Sequence, residues 1–180
     1  MVRTKTIWLR FDRLEKVVYN VYTDASFRKN GAVTTIGTAH MINGSVFDWS
    51  CFKSKKVYSS INEAEFAAIF DASRSVVYFN ELMEFIKIKI ELPVEIENDN
   101  QGAVDLVIKS VGPNTRDASA EHLKVINWNQ ANLIRVSKIE TDKNPADLLT
   151  KPLEYKLFRE HIYTLGYEMY DESIRSTVSN

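Results

Sequence analysis

Val18-Tyr19-Asn20-Val21-Tyr22-Thr23-Asp24-Ala25-Ser26 is a β-branched and aromatic run that stops on an acid and two small residues. Side chains of these types suit a pleated, largely buried surface. The run therefore predicts a buried strand over Val17 to Thr23, with Asp24 at its end, pointing into whatever lies at the sheet's edge. Phe27-Arg28-Lys29-Asn30-Gly31 follows as a polar loop ending in a turn dipeptide. Val33 to Met41 and Ser45 to Phe52 are strand-like again and are joined by Asn43-Gly44, a hairpin signal because both turn residues need positive φ. Ahead of the run, Lys5 to Phe11 reads as a short strand with no assigned neighbour. The chain thus opens as an antiparallel meander.

The hydrophobic period then changes. Ser60 and Glu63 make a capping-box pattern, and Ala64 to Phe79 continues without glycine or proline. Phe66, Ile69, Phe70, Ser73, Val76 and Val77 form a stripe at helical spacing, flanked by Ala64, Ala67, Ala68 and Ala72. A helix this small-sided is suited to sit close on a sheet. Glu81 to Lys89 reads as a second short helix. After Pro93, Val94 to Glu97 alternates as a strand, Gln101 to Lys109 reads as a helix, Ala118 to Gln130 as another, and Leu133 to Thr141 as a strand. Asn144-Pro145 opens a last helix, since Asn caps well and Pro suits the first helical position. Glu168 to Asn180 is polar. Strand–helix units after a meander imply an α/β fold with a mixed sheet and helices packed on it.

Composition narrows the setting. With 180 residues, 44% hydrophobic and 26% charged, the chain suits one globular domain. It holds no apolar run near the roughly 20 residues of a membrane helix, and its start does not resemble a signal peptide. The single Cys51 excludes an internal disulfide, so an intracellular protein is expected. A net charge of -1 argues mildly against a stand-alone nucleic-acid binder.

Four acids fall at element ends: Asp24 after the first long strand, Glu65 in the first turns of the long helix, Asp99 between strand and helix, and Asp147 in the first turn of the last helix. Singly, each has a structural explanation as a turn former, a dipole partner or an N-cap. Together they can converge on one sheet edge, where they would repel one another unless cations were present. An all-carboxylate set suits a hard divalent cation such as magnesium. One Cys and three scattered His make no zinc site, and no Gly-x-x-x-x-Gly-Lys loop is present.

Four ordered blocks carry a specific resemblance: Tyr22-Thr23-Asp24-Ala25-Ser26; Ser59-Ser60-Ile61-Asn62-Glu63-Ala64-Glu65-Phe66-Ala67-Ala68; Asn98-Asp99-Asn100-Gln101-Gly102-Ala103-Val104; and Asn144-Pro145-Ala146-Asp147-Leu148-Leu149-Thr150-Lys151-Pro152-Leu153. In that order they resemble the ribonuclease H domain at the C-terminal end of a copia-type LTR-retrotransposon Pol polyprotein, over about Thr6 to Gly166. The resemblance implies a ribonuclease H-like fold: a five-stranded mixed sheet, three antiparallel strands then parallel ones, with helices on both faces. It implies that Asp24, Glu65, Asp99 and Asp147 are catalytic metal ligands for two Mg2+ ions, with Mn2+ as the alternative. The reaction implied is hydrolysis of the RNA strand of an RNA–DNA hybrid during reverse transcription, leaving 5′-phosphate and 3′-hydroxyl ends. Glu65 is chosen over Glu63 because Glu63 is taken up by the capping box. Asn30 and Asn62 match positions that contact the hybrid's minor groove, with turn and helix-start roles as the alternative.

The same resemblance makes residues 1–16 the tail of an upstream reverse transcriptase or connection region, 17–166 the ribonuclease H domain and 167–180 a polar tail. The implied partner is the reverse transcriptase domain of the same polyprotein, and the implied location is a cytoplasmic virus-like particle where the element is active. His122, Trp49 and Trp128 read as packing residues, Gln101 as solvent-facing, and Lys53, Lys55 and Lys56 as a solvated basic run. Val111 to Asp117 stands where related enzymes carry a basic, Trp-containing handle, which predicts weak hybrid affinity for the isolated chain. The competing readings are a DNA-cutting nuclease of the same superfold, and a degenerate, catalytically weak module with a structural or nucleic-acid-binding role.

Overall fold

The computed structural model describes residues 7–10, 16–27, 33–109 and 119–169. Its centre is a five-stranded sheet of β2 (Tyr19–Ser26), β3 (Thr35–Ile42), β4 (Ser45–Lys53), β5 (Val94–Asn98) and β6 (Ile134–Lys138), in spatial order β4-β3-β2-β5-β6. β2–β3 and β3–β4 pair antiparallel, while β5 lies parallel to both β2 and β6. This is the mixed sheet expected from the meander followed by strand–helix units. The β3–β4 turn is Asn43-Gly44 with φ of 50° and 81°, as the dipeptide requires. β2 runs two residues past Asp24 because Asp24 pairs with Gly37 and Ser26 with Thr35. Asp24 therefore lies inside the strand rather than after it.

Helix α1 (Ile61–Phe85) is one continuous helix; the separate helix expected over Glu81 to Lys89 is absorbed into its end. No proline or glycine interrupts the span, so nothing breaks the hydrogen-bond ladder there. Ser60 Oγ accepts from Glu63 N–H at 3.2 Å, as the capping pattern predicts. The return half differs by one residue: Glu63 Oε2 accepts from Ser59 N–H and Ser59 Oγ, not from Ser60. Ala64, Ala68 and Ala72 are fully buried, so the helix axis lies close to the sheet, and Phe66, Ile69 and Val76 fill the core with Val21, Val94, Ile96 and Val136. Burying each of the larger aliphatic side chains stabilises the fold by about 1.5–3 kcal/mol.

Helices α2 (Gln101–Ile108) and α3 (Ala120–Gln130) pack beside α1. His122 is structural, as read: its Nε2 lies 2.8 Å from the Leu106 carbonyl and its ring packs on Phe66. Trp128 is half-buried and stacks on Phe70. Trp49 corrects its expectation: it is 59% exposed on the edge strand β4, where it lines an open apolar groove with Leu149, Phe158 and Ile162.

The opposite face of the sheet is covered by α4 (Asp147–Thr150) and the segment leading through α5 (Tyr155–Thr164), with Leu148, Leu149 and Leu165 against Ala39, Met41 and Val46. The single helix expected from Asn144 is thus two short ones. Pro152 disfavours helical geometry at the residue before it, and Lys151 is accordingly extended, with φ -145° and ψ 151°. Gly37 makes the close approach of α4 feasible: a Cβ there would stand 2.8 Å from both Leu149 Cβ and Thr150 Cγ2. β1 (Ile7–Leu9) pairs antiparallel with β7 (Tyr167–Met169), so strands from the segments expected outside residues 17–166 meet each other. Among the described residues no helix is long and apolar enough to cross a membrane.

Candidate metal centre

The parallel register fixes the centre of the site. Thr23 pairs with Asn98, so the next residues, Asp24 within β2 and Asp99 just past β5, stand side by side. α4, seated over Gly37 on the strand paired with Asp24, brings in Asp147. Oxygens of Asp24, Asp99 and Asp147 lie within 4.8 Å of one another. Asp24 and Asp147 are buried, and Asp99 is half-buried at the mouth.

Neighbouring residues take the capping roles. Asn100, not Asp99, caps α2: its side chain accepts from Ala103 N–H at 2.9 Å. Asn144 organises the turn before α4, its Oδ1 accepting from Ala146 N–H and its Nδ2 donating to the Thr23 carbonyl at 2.9 Å. The acids are therefore free of the capping work that would otherwise account for them.

Glu65 stands one step behind the set of three. It is 4% exposed, and its Oε2 accepts from Asn98 Nδ2 at 2.9 Å. The same buried amide donates to the Thr23 carbonyl and to Thr23 Oγ1, which ties β5, β2 and α1 together at the site. Lys138 Nζ donates to the Asp99 and Ile139 carbonyls and anchors the turn that carries Asp99.

Two further groups come from α4 and the residue that follows it. Thr150 Oγ1 donates to Asp24 Oδ2. Lys151 Nζ lies 2.8 Å from Asp147 Oδ1 and 3.7 Å from Asp24 Oδ1. The ammonium is close to Asp147 Oδ1 yet off the hydrogen-bonding direction, which leaves that buried oxygen without an aligned donor. Spacing of three and four residues brings Asp147, Thr150 and Lys151 to one side of the turn, and that spacing was visible in the sequence block around Asp147. Asn98 and Lys138 had no comparable signal, since both act through strand register.

Electrostatics follow from the crowding. Burial, and then the neighbouring Asp24, push the Glu65 carboxyl up to about 8. Burial raises Asp147 to about 6 against the opposing contact with Lys151. Asp24 is raised chiefly by burial, opposed by Thr150 and Lys151. Burial works against the Lys151 ammonium, but Asp147, Asp24 and Asp99 outweigh it and hold its pKa above the usual lysine range. Buried carboxylates that cannot all ionise at neutral pH, one with an oxygen lacking an aligned donor, fit a hard divalent cation. The donor set of the cluster is all carboxylate oxygen, which suits a hard divalent cation.

Of the expected substrate contacts, Asn30 lies outside the described residues. Asn62 is exposed at the start of α1 and lies over Gly102, where a Cβ would come 2.4 Å from its Nδ2. Gln101 is solvent-facing, as read, and pairs with Asp105 at 2.8 Å.

No protein-family model matches the chain. It is 27% identical over 150 residues, 82% of its length, to the Retrovirus-related Pol polyprotein from transposon RE1 of Arabidopsis thaliana, and covers 10% of that protein. It is 28% identical over 144 residues, 77% of its length, to the Transposon Ty1-ER2 Gag-Pol polyprotein of Saccharomyces cerevisiae, and covers 8% of it. The chain thus spans about a tenth or less of the curated relatives it matches. Among solved structures, LC11-RNase H1 in complex with an RNA/DNA hybrid superposes with a TM-score of 0.52 at 21% identity, covering 73% of this chain and 93% of that one. The chain has the ribonuclease H fold and is a sequence relative of a segment of retrotransposon Pol polyproteins.

Proposed function

We propose that this chain is a metal-dependent ribonuclease H that hydrolyses the RNA strand of RNA–DNA hybrids during reverse transcription of a copia-type retrotransposon. The observation that carries this reading is the meeting of Asp24, Asp99 and Asp147 within 4.8 Å, with Glu65 directly behind them. Similarity to Pol polyproteins supports the setting, and the fold shared with an enzyme solved on an RNA/DNA hybrid supports the substrate.

In this reading Asp24, Glu65, Asp99 and Asp147 hold two magnesium ions, with manganese as the alternative. Bound there, the ions supply activation of the attacking water and neutralisation of charge at the leaving 3′-oxygen. The chain's own groups set the frame. Thr150 engages one oxygen of Asp24 while the other faces the Lys151 ammonium, and Asn98 engages one oxygen of Glu65. Water adds at phosphorus and the bond to the 3′-oxygen breaks, giving a 5′-phosphate and a 3′-hydroxyl. Asn62, exposed at the start of α1, and Asn30 contact the hybrid across its minor groove, where the 2′-hydroxyls distinguish RNA from DNA. Residues 17–166 form the nuclease unit, and the upstream reverse transcriptase of the same polyprotein supplies further hybrid affinity. The setting is intracellular, within a cytoplasmic particle where the element is active.

The test is cleavage of labelled hybrid, single-stranded RNA and duplex DNA with magnesium. Hybrid alone should be cut, and Asp24→Asn should stop it. Cutting of duplex DNA with the hybrid untouched would assign the site to another nuclease class. Hybrid binding without cleavage would leave the chain as a binding module.

A further inference from the structure

We propose that Lys151 is a resident counter-cation of the carboxylate cluster, competing with divalent metal for the Asp24–Asp147 side of it. The inference rests on reading that cluster as a metal centre and concerns how the centre is gated. Lys151 Nζ is 2.8 Å from Asp147 Oδ1 and 3.7 Å from Asp24 Oδ1, so one ammonium bridges two buried carboxylates. Asp147 Oδ1 has no aligned hydrogen-bond donor, and Asp24 Oδ1 is the oxygen that Thr150 does not engage. The ammonium thus faces the very oxygens a metal would take. An ammonium ion-paired with Asp147 Oδ1 and 3.7 Å from Asp24 Oδ1 competes by charge and by space with a metal ion on the same oxygens.

The backbone explains why the side chain can do both. Pro152 holds Lys151 in the extended region and ends α4 there. Its backbone N–H still bonds to the Asp147 carbonyl at 3.1 Å, so the main chain is fixed independently of the side chain. The side chain remains 39% exposed and reaches the cluster from the solvent side. A lysine carries its charge on a flexible four-carbon stem and forms no rigid fork. The ammonium can therefore withdraw into solvent while Asp147 stays in place. Without metal, it offsets the repulsion of three carboxylates. With metal bound, it is released toward the mouth of the site, where an anionic backbone would pass.

Titration of the full chain with magnesium chloride and manganese chloride, read by calorimetry and by thermal unfolding, tests this without measuring cleavage. Lys151→Met keeps the stem and removes the charge. It should bind metal roughly tenfold more tightly, the scale of a half-exposed ion-pair coupling spread over two carboxylates. Its metal-free melting point should fall and its metal-induced rise should grow, whereas a merely structural loss would lower both curves together. Lys151→Arg keeps the charge and should stay within about threefold of the parent affinity, since its planar fork fits the site less well. In the parent, the Lys151 ammonium nitrogen resonance should shift as magnesium saturates the protein; this arm requires no variant to fold. Unchanged or weaker metal binding by Lys151→Met, or an unmoved ammonium signal at saturation, overturns the proposal while leaving the metal centre intact. Failure of both parent and Lys151→Met to bind either ion removes the metal centre itself, and the counter-cation role with it. Binding by Lys151→Met alone would support the competition in its strongest form.

Discussion

Two groups of buried polar side chains lie on the same sheet and behave in opposite ways. Along β3, Tyr19 Oη meets His40 Nδ1 at 2.7 Å, His40 Nε2 lies 3.2 Å from Thr38 Oγ1, and Thr38 Oγ1 lies 2.8 Å from Ser50 Oγ. Every one of these atoms has a partner and none need carry charge. At the ends of β2 and β5, the cluster of Asp24, Asp99 and Asp147 gathers like charges and leaves a buried oxygen without an aligned donor. A closed neutral network rigidifies a core, while a part-satisfied charged one costs stability unless something outside the chain completes it. The difference marks the carboxylate cluster as the place on this sheet where like charges, and not only polar atoms, are gathered without full compensation from the chain.

The largest effect should come from breaking the cluster. Asp24→Asn should reduce hybrid cleavage at least about a thousandfold, the scale seen when a member of a catalytic set is removed. The same substitution should raise metal-free stability, because it removes a charge whose burial is only partly offset by Thr150 and Lys151. Urea unfolding without metal checks this; a variant less stable than the parent would mean the cluster is satisfied as it stands. Gly37→Ala tests how the cluster is assembled. Its Cβ would meet Leu149 and Thr150 at 2.8 Å and lift α4 from the sheet. Overpacking of this kind costs about 1–3 kcal/mol, and cleavage should fall with it, since Asp147 rides on α4.

The neutral network gives the converse expectation. Burial drives the His40 pKa down to about 4, against the opposing charge of Asp48. Its folded pKa lies below the unfolded value, so its contribution is intact above about pH 6.5 and is lost as pH falls toward 4. Between those limits the unfolded chain binds the extra proton, and stability should drop by about 3 kcal/mol. A proton NMR titration of the His40 ring checks the cause: protonation near pH 6.5 would mean the ring is not sealed in. Tyr19→Phe, which leaves His40 Nδ1 without its partner, should cost about 1–2 kcal/mol. Cleavage per folded molecule should not change.

The contrast also explains what could be read from sequence. The meander, the hairpin at Asn43-Gly44 and the long apolar helix were legible because periodicity and turn chemistry are local. The meeting of Asp24, Asp99 and Asp147 could be anticipated because each falls in a family-like block near an element boundary, whereas Glu65, expected as a fourth member, stands behind the three. Asn98 was not, because its value lies in strand register: only pairing with Thr23 brings its amide to Glu65. Trp49 was misread because alternation along β4 does not reveal that the strand is an edge left partly uncovered. The pairing of β1 with β7 depends on the two ends of the domain meeting in space, which no local pattern encodes.

The smallest effect should come from a charge pair in neither region. Arg135 Nη1 and Glu95 Oε1 are 2.8 Å apart, directly opposite each other on β6 and β5, with side chains 59% and 37% exposed. The contact distance equals that between Lys151 and Asp147, so distance alone does not distinguish the two pairs. Exposure does: water screens the surface pair, and ordering two long side chains offsets most of the attraction. A double-mutant cycle with Arg135→Ala and Glu95→Ala should give a coupling below about 0.5 kcal/mol that fades in high salt. A coupling near that of the buried groups would remove burial as the property that sets the cluster apart, and the carboxylates would then need another reason for being gathered at the end of β2.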